Sequence, residues 1–215
     1  MRVPFALFLA SLLAGPALAA PPVRDLGLGL SYVRVHSLPG DLPSDGSLSG
    51  HACVLDIRYV QGGGATAGAL ASWLSTHCGP RTPVLLLANA STGRDLLAAL
   101  QGPGAAPGLV VLGAAAPGFQ PDVAVAIPPG AERRAYDALE RGTPVDSLVT
   151  ERVDKPRNDE AMLAREHLPD SALGEDEGGT QAEQAGRPEP PPPLIDAVLQ
   201  RAIQLHRALL ALKRL

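Results

Sequence analysis

Three short apolar runs set the architecture of this chain: Cys53 to Ile57 (CVLDI), Pro83 to Leu87 (PVLLL) and Leu109 to Leu112 (LVVL). Each is too short to bury as a helix, and each is rich in the branched residues that suit a strand covered on both faces. What separates them is helical. Gly62-Gly63-Gly64 opens a stretch through about His77 with Leu70, Trp73 and Leu74 at helical spacing, and Asn89-Ala90-Ser91-Thr92-Gly93 leads into a second helix from about Arg94 to Leu100. Strands alternating with helices across Gly-rich turns predict βαβ units, hence an α/β fold with a parallel-rich sheet flanked by helices. Ser31 to Val35 alternates as a further strand, and Asp122 to Ile127 reads as the last one.

The flanks read differently. Residues 1–20 carry an early charge at Arg2, an apolar run from Phe5 to Leu13, a Gly-Pro break and an Ala17-Leu18-Ala19 ending. That is the layout of a secretory signal peptide, which predicts cleavage after Ala19 or Ala20 and an exported protein, periplasmic or secreted, without a membrane span once the leader is removed. The mature remainder is long enough for one domain with a sizeable core, expected over residues 21–168. Ala131 to Arg141 and Asn158 to His167 read as helices. Residues 169–193 are acidic, Gly-rich and then polyproline, and are expected to form a flexible linker. Residues 194–215 regain helical periodicity, with Ile195, Val198, Leu199, Ala202, Ile203, Leu209, Leu210 and Leu212 on one broad face that packs on the same domain or meets a partner helix. The 215 residues include 23 Gly and 22 Pro, divided between the turns of the core and this linker. A formal net charge of −4 gives no basic face for nucleic acid. Of 18 Lys plus Arg, only Lys155 and Lys213 are lysine.

In order along the chain, SYVRV, VLDIRYVQGGG, VLLLANASTGRDLLAAL and LVVLGAAAPGF resemble the core of the tail-specific, or C-terminal-processing, serine peptidases. There a strand like "YIRI" precedes "LDLRxNPGG", then "VVLVN" with a "TASASE" turn, then "VVGExTxGKG". Downstream, NDEAMLAREHL and LIDAVLQRAIQLHRALLAL are similar to that family's "EADLxxHL" and "DxQLxxALxLL" segments, so the resemblance covers most of the mature chain. It implies a crotonase-like core with a C-terminal helix after the linker. It departs from the family in leaving no room before Ser31 for the usual peptide-binding PDZ domain, and in trimming the Ser37 to Ala52 crossover.

The resemblance also implies chemistry. The family's serine attacks a peptide carbonyl, a lysine takes its proton, and backbone N–H groups hold the oxyanion. The alignment places the nucleophile at Thr92, whose extra methyl crowds the attack trajectory, with Ser91 one residue out of register. The lysine position falls at Phe119, which cannot take a proton. Gly63 and Gly93 match the oxyanion positions, although a Gly-rich turn is equally what a strand needs to enter a helix. His36, His51 and His77 are conceivable replacement bases. His51 and His77, however, sit by strand and helix direction at the N-terminal edge of the sheet, opposite the nucleophile turn. Asp56 and Arg58 either orient active-site loops or form a partly buried charge pair at the strand's end, and the pair is the better account.

Cys53 begins a strand and Cys78 ends the helix that returns beside it, so the two are expected to meet. A disulfide across the 24 intervening residues would contribute about 3 kcal/mol in the chain-entropy model. Two separate buried thiols are the alternative. No metal-ligand cluster, phosphate loop or cofactor motif is evident. The sequence therefore points to an exported peptidase-like protein that lacks the Ser–Lys dyad and acts as a binding or scaffold member, its partner a polypeptide segment. The alternative is an active serine-type hydrolase with a rearranged site using Ser91 or Thr92.

Overall fold

The structure is a computed structural model that describes residues 23–44, 46–48, 52–101, 106–149 and 193–215. The expected leader, the helix at Asn158 to His167, most of the acidic linker, His51 and Lys155 lie outside the described residues. The chain divides into two compact units, residues 1–127 with 197–215, and residues 128–196.

The first unit is α/β. Its sheet has six strands in sequential order: β1 (Arg24–Asp25), β2 (Leu30–Arg34), β3 (Ala52–Asp56), β4 (Val84–Leu87), β5 (Leu109–Gly113) and β6 (Val123–Ala124). Only β1 runs antiparallel to its neighbour, and β2 through β6 are parallel. The three apolar runs form adjacent strands β3, β4 and β5, with Cys53 opposite Val84 and Val84 opposite Leu109. Helix α1 (Gly64–His77) carries the chain from β3 to β4, and α2 (Arg94–Gln101) from β4 to β5. Successive crossovers between neighbouring parallel strands place both helices on one face, where they touch.

That face holds one core. Val33, Leu55, Leu86 and Val111 from the strands, with Ile57 and Ala88 just beyond β3 and β4, meet Leu70 and Leu74 of α1 and Leu96, Leu97 and Leu100 of α2. The alternate strand residues point to the opposite face. There α5 (Ala197–Ala211) packs against β4 and β5, burying Val198, Leu199, Ala202 and Ile203. The last predicted helix thus covers its own sheet. Its expected stripe ends early, however, since His206 is buried while Leu212 is 70% exposed. His206 Nε2–H donates to the Leu28 carbonyl at 3.0 Å, tying α5 to the β1–β2 turn. In that turn Gly27, Leu28 and Gly29 all have positive φ.

The second unit contains α3 (Ala131–Glu140) and α4 (Val145–Leu148). Helix α3 buries Ala135, Tyr136, Ala138 and Leu139, an amphipathic spacing of the kind read from the sequence. The chain re-enters at Asp196, whose N–H donates to the Leu148 carbonyl at 2.8 Å.

Candidate functional site

The C-terminal edge of the parallel sheet is where an α/β fold presents loops to a ligand. Two of these loops, 57–63 after β3 and 88–93 after β4, are fastened together. The Gly93 N–H donates to the Val60 carbonyl at 2.8 Å. Gln61 Nε2 donates to the Ser91 carbonyl at 2.6 Å. The approach is close enough that a Cβ on Gly93 would lie 2.9 Å from the Gly62 nitrogen, so only glycine fits.

The second loop is built on Asn89, which is buried. Its Oδ1 accepts the Ser91 N–H at 3.1 Å, an Asx turn, while its carbonyl accepts the Thr92 N–H at 3.0 Å. Thr92 completes the turn. Its hydroxyl accepts the Asn89 N–H at 3.2 Å and shares its own hydrogen between the Ile57 carbonyl at 3.3 Å and Asn89 Oδ1 at 3.4 Å. The side chain is 3% exposed. A hydroxyl held on both sides and closed from solvent pins two loops together and has no face to offer a substrate. Ser91 is exposed beside it.

Phe119, at the position where the resemblance implies a lysine, is a core residue. A tight turn with paired Ala116 and Phe119 backbone bonds at 3.0 and 2.9 Å folds the ring inward. There it joins the helix-covered core at 1% exposure. Its ring edge lies 2.9 Å from where a Cβ on Gly113 would project.

The two expected oxyanion positions part company. Gly93 lends its N–H to Val60, so it is a structural tie. Gly63 is exposed and is the N-cap of α1, with no side chain capping that helix end. A carboxylate oxygen of Asp95, in the first turn of α2, lies 3.8 Å from where a Cβ on Gly63 would project. A negative charge there favours the helix N-terminus and opposes a developing oxyanion.

Asp56 and Arg58 form a fully buried, two-pronged pair. Arg58 Nε donates to Asp56 Oδ1 at 2.9 Å, and its terminal nitrogen to Oδ2 at 2.7 Å. The Arg58 N–H adds a bond to Oδ1 at 3.1 Å, and the Tyr32 hydroxyl donates to Oδ2 at 2.9 Å. Both charged side chains have 0% exposure. Burial, reinforced by the Asp56 carboxylate, pushes the Tyr32 phenol well above its ordinary value.

Among the described residues the candidate histidines part, His36 following β2 at this C-terminal edge and His77 lying at the opposite one. His77 ends α1 at the opposite edge, stacked on Trp73 with ring centroids 4.3 Å apart and Nδ1 2.8 Å from the Trp73 carbonyl. His36 follows β2, with its N–H donating to Asp41 Oδ2 at 2.8 Å and Nδ1 3.9 Å from the same oxygen. Cys53 and Cys78 are free thiols here and not the disulfide expected from the hairpin. Burial favours their protonated forms, pushing Cys53 up to about 12 and Cys78 up to about 11.

Asn89 and Gln61 are the site residues that sequence reasoning missed. Asn89 carried a readable signal, an Asx-turn residue directly after a strand. Gln61 carried none, since its partner lies 30 residues away. Among the described residues no group of three or more His, Cys, Asp or Glu could hold a metal ion, and no helix is long and apolar enough to cross a membrane. No family model, curated protein or solved structure matches the chain.

Proposed function

We propose that the chain is an exported, non-catalytic protein with a crotonase-like, tail-specific-peptidase-type core, which binds a polypeptide segment or serves as a scaffold. The observation that supports this reading is the state of Thr92. Its hydroxyl is consumed in joining two loops, while the side chain at the lysine position, Phe119, is part of the apolar core. A Ser–Lys mechanism needs an accessible nucleophile beside a desolvated amine, and neither requirement fits these residues.

The test combines two measurements on the mature protein. A fluorophosphonate probe is expected to leave Ser91 and Thr92 unmodified in the folded state. A fluorescent, unstructured peptide with an apolar C-terminal tail is expected to bind and be recovered intact. Labelling at Ser91 or Thr92, or cleavage lost in Ser91→Ala or Thr92→Ala, would establish the hydrolase reading instead. A peptide that neither binds nor is cut would remove the peptide-binding role.

A further inference from the structure

Cys53 and Cys78 are two nucleophilic side chains of the first unit for which the proposed function has no use. They meet around one residue. Cys53 is the register partner of Val84, its N–H donates to the neighbouring Pro83 carbonyl at 3.1 Å, and its side chain lies in the core between sheet and helices. Cys78 is the C-cap of α1, held by its N–H to the Leu74 carbonyl at 2.8 Å, and packs against that same core. Directly after it, Gly79 and Thr82 exchange backbone N–H···O=C bonds of 3.1 Å, a tight turn that brings Cys78 back beside Pro83, the residue bonded to the Cys53 N–H. Their surroundings differ. Cys53 is 1% exposed, whereas Cys78 is half-buried at the end of its helix.

We infer that Cys53 and Cys78 form an ordered thiol–disulfide exchange site, in which Cys78 reacts first with a small disulfide and Cys53 then resolves the adduct into an internal bond. In the first step the deprotonated Cys78 sulfur attacks a disulfide RSSR. The donor S–S bond breaks, a mixed disulfide forms on Cys78, and the departing thiolate takes up a proton as RSH. In the second step the Cys53 sulfur, its proton passed to solvent, attacks Cys78 Sγ and releases the second RSH. Two protein thiols are oxidised and one RSSR is reduced to two RSH. Accessibility fixes the order, because a donor reaches Cys78 at the surface but not Cys53 beneath it. The product would fasten the start of β3 to the end of α1. It requires only a disulfide donor, and it stands or falls separately from the proposed function.

The test treats reduced, folded mature protein with oxidised glutathione, then alkylates and maps the thiols by mass. Expected for the wild type is joint loss of both thiols with no lasting glutathione adduct, and a peptide linking Cys53 to Cys78. Cys53→Ala should retain glutathione on Cys78, while Cys78→Ala should stay unmodified under native conditions. Two free thiols, a stable adduct on the wild type or a linkage between two chains would each overturn the inference, as would rapid modification of Cys53 in Cys78→Ala. The wild-type arm decides the matter if either variant fails to fold.

Discussion

Arg58 heads the fully buried side chains in volume, ahead of Phe119 and the core leucines. Its guanidinium is tolerated there because Asp56 meets it with both oxygens, while Tyr32 occupies a further acceptor site on the same carboxylate. Such an arrangement is costly to break from one side. Arg58→Ala would leave Asp56 buried without its counter-charge and is expected to destabilise the fold by about 3–5 kcal/mol. Tyr32→Phe removes one hydrogen bond and should cost about 1–3 kcal/mol. Urea denaturation of both variants checks the ranking, and equal small losses would show that the pair is solvated. Spacing along β3 placed Asp56 and Arg58 together as a partly buried pair at the strand's end, whereas both are wholly buried. That depth follows from the parallel register, which brings Tyr32 of β2 diagonally beside Asp56, a relation absent from either strand alone.

At the scale of elements, the strands were most legible where both faces are buried. Composition alone marks β3, β4 and β5, because branched apolar residues without a polar face fit little else. The edge was less legible. The sequence predicts a strand over Asp122 to Ile127, whereas β6 spans only Val123–Ala124. Asp122 turns its carboxylate onto the Val111 N–H at 2.8 Å, and β5 ends at Gly113, leaving only two paired positions and one closing bond from Val125. The candidate turn was legible in type but its hydrogen bonds were not, since the resemblance offered a nucleophile there while the Thr92 hydroxyl reaches back to Ile57 across 35 residues. Gly113 shows how close these elements approach, as an added Cβ would collide with the Ala88 carbonyl oxygen. Gly113→Ala must therefore push β5 away from the β4 end. Its expected cost is about 1–3 kcal/mol, as for other overpacked sites, read as a lowered denaturation midpoint. An unchanged midpoint would mean that this edge of the sheet yields freely.

For the first unit as a whole, the buried acids set an alkaline limit. Cys53 and Cys78 rise from an ordinary 9.0 to about 12 and about 11, and Tyr32 also rises. The folded chain therefore retains protons that the unfolded chain releases. This contribution is complete below about pH 9 and is lost as pH climbs toward the folded values. Reduced protein should thus have a lower urea midpoint at about pH 10 than at about pH 8, with Cys53 alone worth about 1.4 kcal/mol per pH unit and the half-exposed Cys78 less. Oxidising the pair should remove the thiol share and leave that of Tyr32. A midpoint that does not move would show the thiols to be hydrated in the folded state.

Helix α5 gives this unit a temporal order as well. Strands β4 and β5 are complete by Gly113, yet the helix that covers their second face begins only at Ala197. Until that helix arrives, β4 and β5 lack its cover on their second face, and the turn at Leu28 lacks the hydrogen bond from His206. A chain emerging from its N-terminus therefore carries this part of the sheet without its helix while residues 114–196 are made, a state open to aggregation and to capture by chaperones. Folding of this half of the sheet is thereby tied to a segment made long after its strands, so that its second apolar face is covered last.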